Sequence, residues 1–300
     1  MRYQHTLKQE ATISGVGLHT GKMINMRLMP APRDTGIIFI RTDKGNSEIK
    51  ASINSVIDTT FATSLGSNGV KVGTVEHLLS ALAGLGVDNL YAELDGSEVP
   101  ITDGSAFIFT QKILEAGIAK QGKEISCLRI IKPVVMIEDR CQIAITPYEG
   151  MKMTYRVYHN HPAFGEQKMS IDITDQNFIK ELAPARTFGF LKDVPMLRAK
   201  GLAKGGSLDN ALLLGNKGII NKNIIRFKNE FVRHKILDAI GDLSLLGLPI
   251  YGHIIANKAG HALNIKLLKK LLSFTDSWEI VSESIKSVHK SFQPSAAAVV

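Results

Sequence analysis

Two stretches of this chain, residues 74–86 and 230–247, have the pattern of amphipathic helices, and each carries a histidine on a face that is otherwise small or acidic. The short repeat V-x-H occurs in both, and aligning the two repeats places Gly84 on Gly241. A β-rich run follows each helix, so the chain is predicted to fold into two similar α+β units. A cleft between two such units lets one helix from each contribute to a single site.

The two histidines lie beside carboxylates at a spacing that suits a metal ion. His234 and Asp238 are four residues apart and therefore project from one helix face. Glu76 directly precedes His77, which is the order of general base and ligand in helical metallohydrolases. Two imidazoles and one carboxylate favour zinc over magnesium or calcium, leave one position open for water, and also suit ferrous iron. The alternatives are a surface polar pair in the second helix and, in the first, a capping glutamate beside a core-edge histidine. Thr74 is predicted to be the N-cap of the first helix.

Three further polar residues have the chemistry to complete a hydrolytic site. Asp242 lies roughly 12 Å along the helix axis from His234, too far to share its metal ion, so it is predicted to orient another side chain. His261 is a candidate general acid if a carboxylate such as Asp242 keeps it protonated; the alternative is a loop histidine bonded to the backbone. Thr187 can supply a hydroxyl to an oxyanion, with turn formation before an apolar segment as its alternative.

The basic charge of the chain has three candidate explanations. A net charge of +8 can attract an anionic small substrate, a nucleic acid or an anionic membrane surface. The basic residues are scattered, and aromatic residues make up only 6% of the chain, which argues against a base-stacking platform for nucleic acid. No apolar run approaches the ~20 residues of a membrane span, and the N-terminal sequence MRYQHTLKQE lacks a secretory signal. Since Cys127 and Cys141 also suggest no disulfide framework, a cytoplasmic location is predicted.

Composition divides the chain into two regions. Residues 119–126, which are polar and turn-forming, are predicted to link an N-terminal α+β domain, 1–124, to a C-terminal α+β domain, 125–300. In the second domain, β-rich composition predicts one strand over residues 127–137. Residues 188–214 are rich in glycine and apolar residues without periodicity, and this favours a loop-like insertion.

The motifs of the chain resemble those of a known enzyme family. The segments TVEHLLSALAGLGVDNL, ARTFGF, EFVRHKILDAIGDL and AGHALN, together with an early GVGLHTG, are similar to the zinc-dependent UDP-3-O-acyl-N-acetylglucosamine deacetylases of lipid A biosynthesis. The similarity covers nearly the whole chain. It implies two similar two-layer α/β sandwich domains packed face to face, with the helices inside and a small insertion in each domain. It also implies hydrolysis of the N-acetyl group of UDP-3-O-(3-hydroxyacyl)-N-acetylglucosamine, with release of acetate.

The resemblance implies a role for each matching residue. Glu76 is the implied general base, and His261 is the implied acid or electrostatic stabiliser with Asp242 as its partner. The implied ligands of a single zinc ion are His77, His234 and Asp238. The residues implied to assist the oxyanion or to contact the sugar and diphosphate are Thr187, Phe188, Lys235 and His19.

In this family the insertion of the second domain forms a hydrophobic passage for the acyl chain of the substrate. Residues 188–214 match its position, and the candidates for its wall, with ordinary packing as the alternative, are Leu191, Val194, Met196, Leu197, Leu202 and Ala203. The expected partner is therefore a UDP-sugar lipid precursor, whose diphosphate accounts for the basic charge, and a weak attraction to a membrane surface is a secondary expectation. The competing functions are a zinc amidase for another acylated substrate and a basic nucleic-acid-binding protein.

Overall fold

The structure is a computed structural model that describes residues 2–282. Residues 291–300, which composition predicts to be a loose tail, lie outside this range. Within the described range the chain forms short strands with two sets of helices, and buried apolar residues alternate with exposed ones along strands such as Ala11–Val16 and Met23–Pro30. In Met23–Pro30, for example, Ile24, Met26 and Leu28 are buried while their neighbours face outward, as expected for a sheet with one covered face.

The first half contains a five-stranded sheet and two smaller sheets, one of three strands and one formed by β1 and β10. Its helices are α1 (Glu76–Gly84) and α2 (Phe107–Ala116). The strands are β1 (Tyr3–Leu7), β2 (Ala11–Val16), β3 (Met23–Pro30), β4 (Ile37–Arg41), β5 (Ser47–Lys50), β6 (Val56–Asp58), β7 (Ser64–Ser67), β8 (Val70–Val72), β9 (Leu90–Leu94) and β10 (Ile118–Glu124). The larger sheet has the order β2-β3-β9-β4-β5, in which only β4 and β9 run parallel, whereas β6, β7 and β8 form a separate antiparallel sheet.

The second half repeats this design around a seven-stranded sheet. Its helices are α3 (Asp175–Asn177), which continues as a π-helical turn (Phe178–Leu182), α4 (Val194–Ala199), α5 (Glu230–Ser244) and α6 (His261–Ser273). The strands are β11 (Ser126–Ile130), β12 (Val134–Glu138), β13 (Cys141–Thr146), β14 (Met151–His159), β15 (Gly165–Asp172), β16 (Phe188–Phe190), β17 (Leu212–Gly215), β18 (Gly218–Ile219), β19 (Ile250–Asn257) and β20 (Trp278–Ser282). Strand β19 is central, since it pairs with β11, β13 and β14.

Helices α1 and α5 pack directly against each other between the two halves. They approach closely because Gly241 has no side chain: a Cβ there would lie 2.1 Å from the carbonyl oxygen of Glu76. Gly84 likewise allows a close contact, in this case with Phe178, because a Cβ at Gly84 would lie 2.3 Å from Cγ of that residue. The two glycines that the V-x-H repeat aligns therefore both mark helix contacts. The predicted α+β class, with helices inside, is confirmed.

Two local predictions are wrong. Residues 119–126 do not form a turn-rich linker: most of them belong to β10, which pairs antiparallel with β1. Residues 127–137 contain a break at Lys132 and Pro133, and the strands on either side, β11 and β12, have different partners. A proline lacks the amide donor that a central strand requires, which explains the break. The division into domains at residue 124 stays a prediction.

The predicted insertion at residues 188–214 is mostly short structure rather than open loop. It begins with β16, continues through a 3-10 turn and α4, and ends in β17, which runs parallel to β16. None of the helices in the described part of the chain combines the length and the apolar character needed to cross a membrane.

Candidate active site

Three potential metal ligands from two helices converge in the interior. His77 lies in the first turn of α1, whereas His234 and Asp238 lie on neighbouring turns of α5. Their ligand atoms all lie within 4.8 Å of one another, and all three side chains are buried. Asp238 Oδ1 is 3.2 Å from His234 Nε2 and 3.4 Å from His77 Nε2. We call these three residues the ligand cluster.

The hydrogen bonds around the ligand cluster leave lone pairs facing one another. His234 Nδ1 lies 3.1 Å from the carbonyl oxygen of Ala185, and because a carbonyl only accepts, Nδ1 carries the proton. Burial lowers the pKa of His234 to about 3, so its Nε2 stays unprotonated. That lone pair faces Asp238 Oδ1, which receives no hydrogen bond from the described residues. A cation between the two atoms satisfies both, so the ligand cluster could hold a metal ion.

Lys235 fixes the remaining oxygen of the carboxylate ligand. Its Nζ donates to Asp238 Oδ2 over 2.7 Å, which leaves Oδ1 to the interior of the cluster. Burial disfavours the charged carboxylate, yet its polar neighbours, among them the Lys235 ammonium, hold the pKa of Asp238 well below its usual range. Burial likewise opposes the charge on Lys235, but the Asp238 carboxylate outweighs it and raises the pKa of the lysine. Asp238 is therefore ionised and oriented at neutral pH.

Glu76 lies one residue before the first ligand, in the first turn of α1. Its side chain is buried, and burial raises its pKa above the ordinary value for a glutamate. Oε2 accepts a hydrogen bond of 3.1 Å from the backbone N–H of Thr63, whereas Oε1 lies 3.9 Å from His261 Nε2. The carboxylate is thus held at one oxygen and faces an imidazole with the other.

Asp242 and His261 form a buried pair next to Glu76. His261 begins α6, and its Nδ1 lies 2.8 Å from Asp242 Oδ2, which also accepts from Asn264 Nδ2 at 2.8 Å. Burial opposes protonation of the ring, but the Asp242 carboxylate outweighs burial and raises the pKa of His261 to about 9. The imidazolium form therefore prevails at neutral pH, with its Nε2–H directed toward Glu76. Asp242 lies apart from the ligand cluster, as its position along the helix predicts.

The segment Ala185–Phe188 lies against the ligand cluster. Both backbone polar groups of Thr187 are hydrogen-bonded. Its N–H donates to the carbonyl of Gly104 over 2.7 Å, and its carbonyl accepts from the N–H of Leu212 over 2.8 Å. The ring of Phe188 packs on Phe231 with centroids 4.9 Å apart and lies 6.4 Å from the ring of His234. Lys235 Nζ lies 5.7 Å from the centroid of Phe188, so these two predicted substrate contacts share one wall.

His19 belongs to a separate loop that contacts the insertion. Its backbone N–H donates to Glu98 Oε1 over 2.8 Å, and its carbonyl accepts from the backbone of Lys204 over 3.3 Å. Burial lowers the pKa of His19 despite the nearby Glu98, which favours a neutral ring. The structure therefore joins the GLHTG loop to the end of the predicted passage segment.

The six residues predicted to line an acyl passage lie on the surface side of the insertion. Leu191 and Met196 are exposed, and the other four are half-buried. Two cavities, of about 380 and 770 Å³, are lined by residues of β17 and β18 and of the segment before α5. Their shared apolar lining includes Ala163, Ile219 and Ile225, and neither is lined by any of the six residues. The passage stays a prediction.

Sequence reasoning missed four contacts that shape the site. Asn264 follows His261 by three residues on a helix, so its spacing carries a usable signal. No sequence signal marks the other three groups, which are Thr63, the Ala185 carbonyl and Glu98. They lie at the site because the fold brings distant segments of the chain together.

The prediction that Thr74 caps α1 is wrong. Thr74 has a positive φ of 54°, its hydroxyl donates to Glu98 Oε1 over 2.8 Å, and Val75 precedes the helix without a side-chain cap.

Comparison with known proteins gives a consistent match. Residues 4–273 match the family model described as LpxC, UDP-3-O-acyl N-acetylglycosamine deacetylase. A curated protein of that activity from Thermodesulfovibrio yellowstonii is 53% identical over 299 residues, which is 100% of both chains. A second, from Syntrophus aciditrophicus, is 48% identical over 94% of this chain and 90% of its own. A third, from Myxococcus xanthus, is 48% identical over 93% of this chain and 89% of its own.

Proposed function

Because this chain belongs to the UDP-3-O-acyl N-acetylglycosamine deacetylase family, we propose that it hydrolyses the N-acetyl group of UDP-3-O-(3-hydroxyacyl)-N-acetylglucosamine. The products are acetate and the free amine, and the reaction serves lipid A biosynthesis. The observation that carries the proposal is the ligand cluster of His77, His234 and Asp238 beside a buried carboxylate and a buried imidazolium. This arrangement supplies the groups that metal-assisted hydrolysis of an amide uses at neutral pH.

The proposed cofactor is one zinc ion, for which ferrous iron can substitute. His77, His234 and Asp238 would hold it, since two neutral imidazoles and one carboxylate suit either metal. When bound there, such an ion polarises the acetyl carbonyl and lowers the pKa of a water molecule to about 7.

Glu76 is the proposed general base. Its Oε1 is free of the Thr63 N–H and faces the centre of the site, where it can take a proton from the attacking water. The raised pKa of Glu76 makes the carboxylate a better proton acceptor than an exposed glutamate. As the C–O bond forms, the carbonyl π electrons move to oxygen, and Glu76 holds the proton.

His261 is the proposed general acid and electrostatic stabiliser. With a pKa of about 9 it is protonated in the resting site, so it stabilises the oxyanion and supplies a proton to the departing amine nitrogen. The C–N bond then breaks, its electron pair stays on the nitrogen that takes the His261 proton, and acetic acid leaves and ionises to acetate. The proton on Glu76 returns through solvent to His261, which restores both groups. Asp242 holds the ring in the orientation that keeps Nε2–H directed inward.

The proposed substrate contacts follow from the resemblance of the sequence motifs to those of the family. Thr187 assists the oxyanion, Phe188 lines the sugar site, and Lys235 and His19 lie toward the sugar diphosphate. The acyl chain follows residues 188–214, with Leu191, Val194, Met196, Leu197, Leu202 and Ala203 as its contacts. The net charge of +8 attracts the diphosphate, and the enzyme acts in the cytoplasm.

The test is deacetylation of the UDP-linked substrate by purified protein. We expect activity to disappear on complete chelation and to return with zinc or ferrous iron. His234→Ala should lose the metal and the activity together, whereas Glu76→Gln should keep the metal and lose turnover. His253→Ala is the matched control, because this histidine binds Thr154 in the sheet, apart from the ligand cluster.

Full activity after complete metal removal would contradict the mechanism. Equal metal loss in His234→Ala and Glu76→Gln would contradict the division of roles. Hydrolysis of N-acetyl substrates that lack the nucleotide or the acyl chain at an equal rate would favour the competing zinc amidase.

A further inference from the structure

Thr63 lies at the meeting point of the two groups that handle protons in the proposed reaction. It is fully buried in the short connection between β6 and β7. Its backbone carbonyl accepts from the N–H of Val75 over 3.3 Å, which ties the connection to the start of α1. The residue is therefore fixed relative to the helix that carries Glu76.

Each polar hydrogen of Thr63 is directed at a different carboxylate. The backbone N–H donates to Glu76 Oε2 over 3.1 Å, and the hydroxyl donates to Asp242 Oδ1 over 2.6 Å. The hydroxyl oxygen also lies 3.3 Å from His261 Nδ1. Because the ring nitrogen already donates to Asp242 Oδ2, the hydroxyl proton belongs to Oδ1.

The hydroxyl completes the set of donors that orients Asp242. Oδ2 accepts from His261 and Asn264, and Oδ1 accepts from Thr63, so donors hold both oxygens of a fully buried carboxylate. Without the hydroxyl, Oδ1 keeps no donor among the hydrogen bonds of the described residues. The carboxylate can then rotate, and the His261 ring that it holds can rotate with it.

We infer that Thr63 is a positioning residue that aligns the general base, Glu76, with the general acid, His261, through the hydrogen bonds of its N–H and hydroxyl. The inference rests on the proposed function, since it concerns the same site. It accounts for the approach of Glu76 Oε1 and His261 Nε2 to within 3.9 Å of each other. Thr63 contacts neither the substrate nor the ligand cluster in this role, and it acts only through Glu76 and Asp242.

The experiment compares Thr63→Val with Thr63→Ser in metal-loaded enzyme. Valine keeps the shape and the backbone N–H but removes the hydroxyl, so we expect kcat to fall about 10- to 100-fold, the usual cost of losing an orienting partner, while KM and metal content stay near those of the wild type. Serine restores the hydroxyl, and we expect kcat within about threefold of the wild type. Thr110→Val is the matched control, because Thr110 is equally buried and its hydroxyl bonds Ala106 within α2.

A double-mutant cycle with Asp242→Asn tests the route of the effect. If Thr63 acts through Asp242, Thr63→Val should lower kcat by less than about twofold in the Asp242→Asn background. Should Thr63→Val fail to fold, Thr63→Ala replaces it in the same cycle, since the smaller side chain introduces no clash.

Three results would overturn the inference: kcat of Thr63→Val within about threefold of the wild type, Thr63→Ser as slow as Thr63→Val, or full additivity with Asp242→Asn. An equal loss in Thr110→Val would also overturn it, because the effect would then follow from burial alone. Absence of deacetylation by the wild type is a different result, and it would refute the proposed function first.

Discussion

Exchanging Asp242 for asparagine tests whether this carboxylate sets the charge of His261. In the wild type the pair, joined over 2.8 Å, raises the pKa of His261 from 6.5 to about 9 although burial opposes the charge. The rise corresponds to about 3 kcal/mol of preferential stabilisation of the imidazolium. In Asp242→Asn this attraction is lost, whereas the burial that lowers the pKa of His261 and the weaker attractions of Glu76 and Asp238 that raise it remain and oppose one another, so the pKa should fall to about 6.5.

The fall is large enough to change which form of His261 is present at neutral pH. At pH 8 the protonated fraction should decrease from about nine-tenths to about 3%. We propose to follow the His261 ring by NMR in metal-depleted protein between pH 5 and pH 10. In metal-loaded enzyme, the loss of kcat in Asp242→Asn should be greater at pH 8 than at pH 6, since the acid form is depleted only at the higher pH.

The same pair predicts how stability varies with pH. A group whose pKa is higher in the folded than in the unfolded protein stabilises the fold fully at any pH below its pKa in the unfolded protein. This stabilisation is lost as the pH rises through its pKa in the folded protein. The contribution of His261 is therefore complete below pH 6.5 and is lost as the pH rises through about 9, a change of about 3 kcal/mol. Urea unfolding should show this decrease in the wild type and a much smaller one in Asp242→Asn.

Asp88→Asn is the control, because Asp88 is paired with Arg2 elsewhere in the fold. It should leave the titration of His261 unchanged. The reasoning is refuted if His261 in Asp242→Asn titrates within about half a pH unit of the wild type, or if kcat falls by one factor at every pH.

Two further predictions concern the packing that builds the site. A Cβ in Gly241→Ala would lie 2.1 Å from the carbonyl oxygen of Glu76. We therefore expect the free energy of unfolding in urea to fall by at least about 1–3 kcal/mol and metal binding, measured by titration, to weaken. Unchanged values of both would contradict the close contact of α1 and α5. Arg186→Met removes the guanidinium that lies 2.9 Å from the buried carboxylate of Glu230. We expect the free energy of unfolding to fall by about 3–5 kcal/mol in the same assay, and part of this loss to be recovered when Glu230→Gln is added. No recovery in the double variant would contradict the pairing.

The sequence predicted the parts of the site that depend on helix geometry. His234 and Asp238 are neighbours on any α-helix at a spacing of four, so their pairing needs no knowledge of the fold. Predicting that His77 lies close to them required further information, because this proximity depends on how α1 and α5 pack. The repeated V-x-H pattern and the glycines that follow it supplied this information.

Contacts between distant segments were not predictable in the same way. Thr63 and Asp242 are 179 positions apart, and a single threonine in a short connection has no periodic or chemical pattern that marks it. The failure at residues 119–126 has another cause. Strand β10 has no buried residue and, among the described strands, pairs with β1 alone, so its polar and glycine-containing composition is that of a turn.

The arrangement of the ligand cluster couples metal binding to the packing of the two halves. One ligand lies on α1 and two lie on α5, so an ion held by all three fixes the distance between helices that the Gly241 contact also fixes. A bound ion therefore stabilises only the packed state, by an amount that grows with the logarithm of its free concentration. Conversely, a protein with α1 displaced presents one histidine on one side and a histidine–aspartate pair on the other, neither of which is a complete site. Because Glu76 lies on α1 and Asp242 on α5, the same packing that completes the ligand cluster also brings Glu76, the proposed base, close to the proposed acid, His261, which Asp242 holds.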